Sequence, residues 1–178
     1  MKITVIVGSL RRDSLNKKLA KNLVALAEGK AEFEYLSINL PLFNEDLEPT
    51  FPDAAKVLKS SIEAADGVLI TTPEYNRGMP GALKNAVDWV SRPDGNNSWR
   101  GKPVAIAGAT PGLVGTALAQ DHLRGILSFL NARIMVTPEL YLSGADKMFD
   151  TNGEVDATER AYFKSFINSF LDFVQDNA

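Results

Sequence analysis

The chain has 178 residues, 45% hydrophobic and 23% charged; its net charge of −3 (22 acidic, 19 basic) offers no global field for nucleic acid or an anionic membrane. That length suits one domain able to bury about 70% of the surface its unfolded chain exposes, and residues 1–178 are read as a single domain. Cysteine is absent and His122 is the one histidine, which excludes disulfides, thiolate metal sites, cysteine nucleophiles and multi-histidine centres.

Met1-Lys2 leads directly into a β-branched run with no signal-peptide core or cleavage site. No apolar run approaches the ~18–20 residues of a membrane helix, so a soluble cytoplasmic protein is expected. The first run, Lys2–Gly8, predicts a strand. Ser14–Ala27 predicts a helix with Leu15, Leu19, Leu23 and Leu26 on its inner stripe and Lys17, Lys18, Lys21 and Asn22 facing away. Glu32–Ile38 begins with the alternation of a half-exposed strand. The irregular stretch Asn39–Thr50 carries Glu45, Asp46 and Glu48, read as a solvated cluster rather than a metal site. Pro52–Asp66 predicts a helix burying Ala54, Val57, Leu58, Ile62 and Ala65, stopped by Gly67.

Gly67–Thr72 and Pro103–Gly108 are nearly continuous apolar runs, as expected of parallel strands covered on both faces. Between them Pro80–Val90 predicts a helix burying Leu83, Ala86, Val87 and Val90, with Pro80 at its first position. Gly115–Leu130 predicts a helix carrying Leu118, Leu123, Ile126, Leu127 and Leu130; His122, on this helix, is read as a surface or packing residue. Arg133–Thr137 predicts a fifth strand. The last helix opens with Asp156 and Glu159 as a capping pair and runs through Phe163, Phe166, Ile167, Phe170, Leu171 and Val174, read as core. Five strands alternating with five helices predict a doubly wound α/β fold, a five-stranded parallel sheet in the order 2-1-3-4-5 with helices on both faces. Ligands of such sheets bind beyond the carboxyl ends of the strands, where the order reverses.

The loops after strands 1, 3 and 4 meet there. The first reads Gly8-Ser9-Leu10-Arg11-Arg12-Asp13-Ser14-Leu15-Asn16 and enters a helix N-terminus. A lone Ser14 would merely cap that helix. Ser9, Arg11, Arg12, Ser14 and Asn16 together point to a bound monophosphate. The loop lacks the glycines of a dinucleotide fingerprint and of a P-loop. The second reads Thr72-Pro73-Glu74-Tyr75-Asn76-Arg77-Gly78-Met79-Pro80-Gly81. Its two prolines and two glycines fix a backbone that can face a planar partner, with Tyr75 and Met79 as apolar wall.

These residues, together with Ala82-Leu83-Lys84-Asn85-Ala86-Val87-Asp88-Trp89, resemble the NADPH-dependent FMN reductase family over essentially the whole chain. Its members are flavodoxin-like proteins that include quinone reductases, azoreductases and chromate reductases. The resemblance implies that Arg11, Ser14, Leu15 and Asn16, with Ser9 beside them, hold the FMN phosphate. It implies that Pro73, Glu74, Tyr75 and Asn76 line the isoalloxazine, and that Ala109, Thr110 and Gly112 around Pro111 form the third contact. Arg77, beside the flavin, is a candidate contact for an anionic substrate or a nicotinamide phosphate, and Met79 a candidate substrate wall. Asp88 is read as structural.

The implied activity is NADPH- or NADH-dependent reduction of quinones, azo compounds, chromate or free flavin. It proceeds by ping-pong hydride transfer through FMN, with no catalytic side chain and no metal. A homodimer or homotetramer is implied as well. The rival readings are a flavodoxin-type carrier and a flavin-binding regulator. An arginine-bearing phosphate loop and a charge of only −3 speak against the carrier.

Overall fold

The structure, a computed structural model, describes residues 1–177; Ala178, the last residue of the expected domain, lies outside them. Its elements in chain order are β1 (Lys2–Val7), α1 (Leu15–Leu26), β2 (Glu32–Leu36), a 3-10 turn (Glu45–Thr50), α2 (Asp53–Ala64), β3 (Gly67–Thr71) and α3 (Gly81–Val90). They continue with β4 (Pro103–Ala109), α4 (Ala117–Phe129), β5 (Arg133–Ile134), β6 (Leu140–Leu142) and α5 (Ala157–Asp176). The strands are all parallel in the order β2-β1-β3-β4-β5, as the alternation of elements predicts.

The predicted fifth strand is broken in two. Arg133–Ile134 pairs with Pro103–Val104, the chain leaves the ladder, and Leu140–Leu142 returns to pair with Ala107–Ala109 on the same edge. Pro138, which has no N–H to donate, falls in the excursion, where an edge strand tolerates it. The ladder beside the far end of β4 is therefore supplied by Leu140–Leu142, which lies beyond the predicted strand.

Two cores flank the sheet. Leu19, Leu23, Leu26, Phe163, Phe166, Phe170 and Val174 of α1 and α5 cover one face; Leu58, Ile62, Leu83, Val87, Leu123 and Leu127 of α2, α3 and α4 cover the other. The C-terminal phenylalanines are thus core. Three predicted stripes need correction. In α2, Val57 and Ala54 face solvent, and the buried positions are Ala55, Leu58, Lys59 and Ile62. Lys59 turns inward because its ammonium caps carbonyls, donating to Val90 O at 3.2 Å and Asn96 O at 2.6 Å while pairing with Glu63 at 3.3 Å. Asn22 of α1 is buried, not outward, and its Nδ2 donates to Lys18 O at 2.9 Å and Gly153 O at 2.8 Å. Leu118, in the first turn of α4, is exposed.

Gly108 is the most tightly enclosed of the glycines. A Cβ there would sit 1.8 Å from Thr116 Oγ1 and 2.6 Å from the Thr72 carbonyl oxygen. Thr116 itself is buried in a left-handed conformation (φ 68°) immediately before α4. Glycine in β4 thus lets the chain turn back onto the strand and start α4 close to the sheet. Gly108→Ala should cost about 3 kcal/mol or more, since one neighbour is backbone and cannot rotate away; a urea midpoint close to the wild type would refute this.

Candidate active site

A parallel sheet delivers every strand's carboxyl end to one edge, and here the loops after β1, β3 and β4 are bonded to one another. Asn16, in the first turn of α1 and only 2% exposed, is the main tie. Its Nδ2 donates to Ala109 O and its Oδ1 accepts from the Ala109 N–H, both at 2.9 Å. Its own carbonyl accepts from Thr71 Oγ1 at 3.0 Å. Asn16 therefore sits at the predicted phosphate loop, but its side chain is engaged in joining α1 to the end of β4. Thr71, which sequence reasoning passed over, is buried; a hydroxyl ending an otherwise apolar strand was the available signal.

The β1 loop presents the open end of α1. Ser14 is its N-cap and accepts from the Lys17 N–H at 3.3 Å, so the capping role is real. No acidic residue occupies the first turn to neutralise the positive end of the helix dipole. Ser9 Oγ accepts from the Arg11 N–H at 3.3 Å, which folds the loop so that Arg11 and Arg12 stand exposed beside the helix start. Leu15 is half-buried and packs on the α1–α5 core.

The β3 loop forms a two-residue hairpin. Tyr75 N–H donates to Gly78 O at 2.9 Å and Gly78 N–H to Tyr75 O at 3.0 Å. Asn76 (φ 51°) and Arg77 (φ 64°) both take positive φ, as a type I′ turn demands. Asparagine suits that conformation; arginine does not, and Arg77 is held by an ion pair of 3.4 Å to Glu74. The amides of Asn76 and Arg77 have no partner among the described residues. Pro73 is half-buried and Tyr75 exposed.

Glu74 has a structural task that the sequence does not announce. Its side chain is only 9% exposed, and Oε2 accepts from the Leu118 and Ala119 N–H groups at 3.1 and 3.2 Å. Thr116 gives α4 no side-chain cap, so Glu74 caps that helix from another loop. In the β4 loop, Thr110 Oγ1 accepts from the Gly112 N–H at 3.2 Å, and Thr110 N–H donates to Leu142 O at 3.0 Å. Ser143 Oγ donates to Leu113 O at 3.0 Å, so the segment after β6 supports this loop from behind. Leu113 at its tip is 93% exposed.

The remaining candidates lie apart from this edge. Met79 packs on the α3 side of the core and lines a shallow cavity of about 710 Å³ together with the exposed His122. Asp88 pairs with Lys84 at 2.7 Å, one helical turn away. Arg92 pairs with Glu45 and Glu48 at 3.2 and 3.5 Å, and no metal-binding group occurs among the described residues.

The donor set fits the phosphate and planar ring of FMN. An unneutralised helix N-terminus with two exposed arginines suits the dianion, and two unpartnered backbone amides suit an electronegative ring edge. In comparisons with known proteins, the family described as NADPH-dependent FMN reductase matches residues 1–147. The chain is 47% identical to a 2-hydroxy-1,4-benzoquinone reductase of Burkholderia sp over 99% of this chain and 97% of that one. It is 40% identical to a quinone reductase of Pseudomonas putida over 98% and 95% of the two chains. Among solved structures, FerB from Paracoccus denitrificans, a flavoenzyme NAD(P)H:(acceptor) oxidoreductase, superposes with a TM-score of 0.93 at 44% identity, covering 99% of this chain and 98% of that one.

Asn16→Leu should strand both backbone groups of Ala109 in a buried setting and cost about 2–4 kcal/mol in urea unfolding. Glu74→Ala should cost about 1–3 kcal/mol by removing a charged acceptor from two amides, with Glu74→Gln recovering part of it. A wild-type unfolding midpoint in either alanine or leucine variant would show that these ties are not what holds the loops.

Proposed function

The chain belongs to the NADPH-dependent FMN reductase family and is an NAD(P)H-dependent FMN oxidoreductase; we propose that the β1, β3 and β4 loops hold its cofactor and that quinones are its acceptors. The observation that carries the site assignment is the convergence of a helix N-terminus with no acidic residue in its first turn, two exposed arginines and two unpartnered amides at the reversal point of the strand order.

Arg11, Arg12, Ser14 and the first amides of α1 bind the phosphate; Leu15 and Asn16 position that turn, and Ser9 shapes the loop before it. Pro73, Glu74, Tyr75 and Asn76 frame the ring from one side, with the Asn76 and Arg77 amides donating to its polar edge. Ala109, Thr110 and Gly112 frame it from the other. When bound, FMN supplies the two-electron chemistry between NAD(P)H and the acceptor, so no side chain is needed as a redox or acid–base group. Tyr75 and Leu113 offer exposed apolar surface to a planar acceptor, which is the chemistry of a quinone. Arg77 adds a cation, 66% exposed, at the same mouth. Met79 is a less direct candidate, since it faces the cavity it shares with His122. The carrier and regulator readings give way to an enzyme, as the relatives' names support.

The whole chain is read as one FMN-binding domain. A homodimer or homotetramer is part of the same proposal, supported by Phe129, a large apolar side chain left 85% exposed. No helix among the described residues is long and apolar enough to cross a membrane. A cytoplasmic location, where reduced nicotinamide nucleotides are available, completes the reading, and cell fractionation tests it.

The purified protein should show flavin absorption bands that bleach on anaerobic addition of NADPH or NADH and return with a quinone; bands unmoved by either nucleotide would overturn the reading. Arg11→Gln with Arg12→Gln should weaken FMN binding roughly tenfold to a hundredfold and leave riboflavin binding nearly unchanged, because only FMN carries the phosphate. A fluorescence titration gives both constants. A solution mass equal to one chain would sink the oligomer.

A further inference from the structure

The β3 loop keeps an arginine where its backbone favours glycine. Arg77 is the second central residue of the hairpin turn, at φ 64°, and in a type I′ turn that position goes most readily to glycine. A β-carbon there is held against the preference of the backbone. The turn does not need the side chain, because its two hydrogen bonds run between the backbones of Tyr75 and Gly78. The guanidinium is 66% exposed, and among the described residues it makes one bond, from Nη1 to Glu74 Oε1 at 3.4 Å. A strong charge-assisted pair closes to about 2.7–2.9 Å, so most of the five donors of Arg77 are left for another acceptor.

The charge at this mouth depends on Arg77. From Ala109 to Thr116 the β4 loop carries no charged side chain, and from Thr72 to Pro80 the β3 loop carries only Glu74 and Arg77. Glu74 is 9% exposed, and its Oε2 is taken up by the Leu118 and Ala119 amides. Its charge is thus spent on donors inside the protein, while that of Arg77 faces water. Behind Gly78, Lys84 and Asp121 bring one charge of each sign to the shallow cavity there. The Glu74 carboxylate also sets apolar surface beside the cation: Leu118, whose amide it holds, is exposed, and so is the adjoining Tyr75. A planar apolar ring that carries an anionic group meets both features at once, and a neutral ring meets only one.

We propose that Arg77 is a specificity-determining residue that makes the enzyme prefer planar acceptors bearing an anionic group over their neutral counterparts, an assignment that rests on the flavoenzyme and quinone reading above. One unit charge near an exposed guanidinium corresponds to roughly fivefold to thirtyfold in kcat/KM, and since the attraction acts on the bound acceptor before reaction it falls mainly on KM. Negative charge also builds on the oxygen of any quinone as it is reduced. A cation serving that charge would favour neutral and anionic acceptors alike, so the ratio between the two separates the roles.

The test is steady-state reduction of 1,4-naphthoquinone and its 2-sulfonate by the FMN-loaded protein with NADPH, in wild type, Arg77→Gly, Arg77→Lys and Arg77→Glu. The sulfonate keeps its charge at every working pH. The expected result is that the ratio of kcat/KM, sulfonate over parent quinone, falls roughly fivefold to thirtyfold in Arg77→Gly through a higher sulfonate KM. It should fall further in Arg77→Glu, be largely kept in Arg77→Lys, and shrink in the wild type as salt rises from about 50 to about 500 mM. Arg77→Gly should hold or raise the urea midpoint, because the turn favours glycine. An unchanged ratio, an equal loss for both quinones, a ratio indifferent to salt, a fall seen in the NADPH KM instead, or a lowered Arg77→Gly midpoint would each overturn the proposal and leave the flavoenzyme intact. A changed solution mass in Arg77→Gly would place the guanidinium at a subunit contact and overturn it as well. Failure of the wild type to reduce either quinone would instead overturn the flavoenzyme reading, and this proposal with it.

Discussion

The bidentate pairing of Asn16 with the backbone of Ala109 is the contact on which the arrangement of the site depends. It bridges 93 residues of sequence, is buried, and satisfies a donor and an acceptor that would otherwise be stranded at the end of β4. Parallel pairing brings Val7, Thr71 and Ala107 into neighbouring register at the carboxyl edge. Register alone aligns strands, not the loops beyond them. Asn16 extends the alignment by one layer, locking the start of α1 to the exit of β4, and Thr71 adds β3 to the same knot through the Asn16 carbonyl. The helix N-terminus is thereby aimed at the place where the strand order reverses.

The same edge carries three of the five non-glycine residues with left-handed backbone among the described residues: Asn76, Arg77 and Thr116, the last made possible by Gly108. Each such conformation costs of order 1–3 kcal/mol and persists only where its surroundings over-determine it. Glu74 is the common support: one oxygen holds the Arg77 guanidinium and the other holds the first amides of α4. The turn that offers free amides and the helix that closes the β4 loop are coupled through one nearly buried carboxylate. A single residue of the β3 loop is thus both part of the candidate site and part of its frame.

The motif in α3 acts through packing rather than chemistry. Asn85 Oδ1 accepts from the Phe43 N–H at 2.7 Å and its Nδ2 donates to Pro41 O at 2.9 Å, while Trp89 Nε1 donates to Pro41 O at 2.8 Å. Phe43 and Phe51 then meet the Trp89 ring edge-on at 5.0 and 4.8 Å. The long segment after β2 is strapped to α3 in this way, and Arg92 neutralises its acidic residues at the outer end. An acidic cluster that could suggest a cation in the sequence is answered by an arginine 44 to 47 residues away.

The sequence by itself determined the fold class and the strand order. Those follow from local physics: apolar runs too continuous to be half-exposed, a period of 3.6 between them, and the handedness of crossovers. It also carried the helix caps Ser14 and Asp156, because a cap is a contact between residues two or three apart. What only the tertiary structure decided are the contacts between residues distant in the chain. Asn16 binding Ala109, Glu74 capping α4, Lys59 and Asn22 turned inward, and the broken edge strand all depend on which carbonyls and amides are left unpaired once the elements pack. Periodicity records which side of a helix is apolar. It cannot record which buried polar group lies across the interface, and that is what assigns a lysine or an asparagine to the interior.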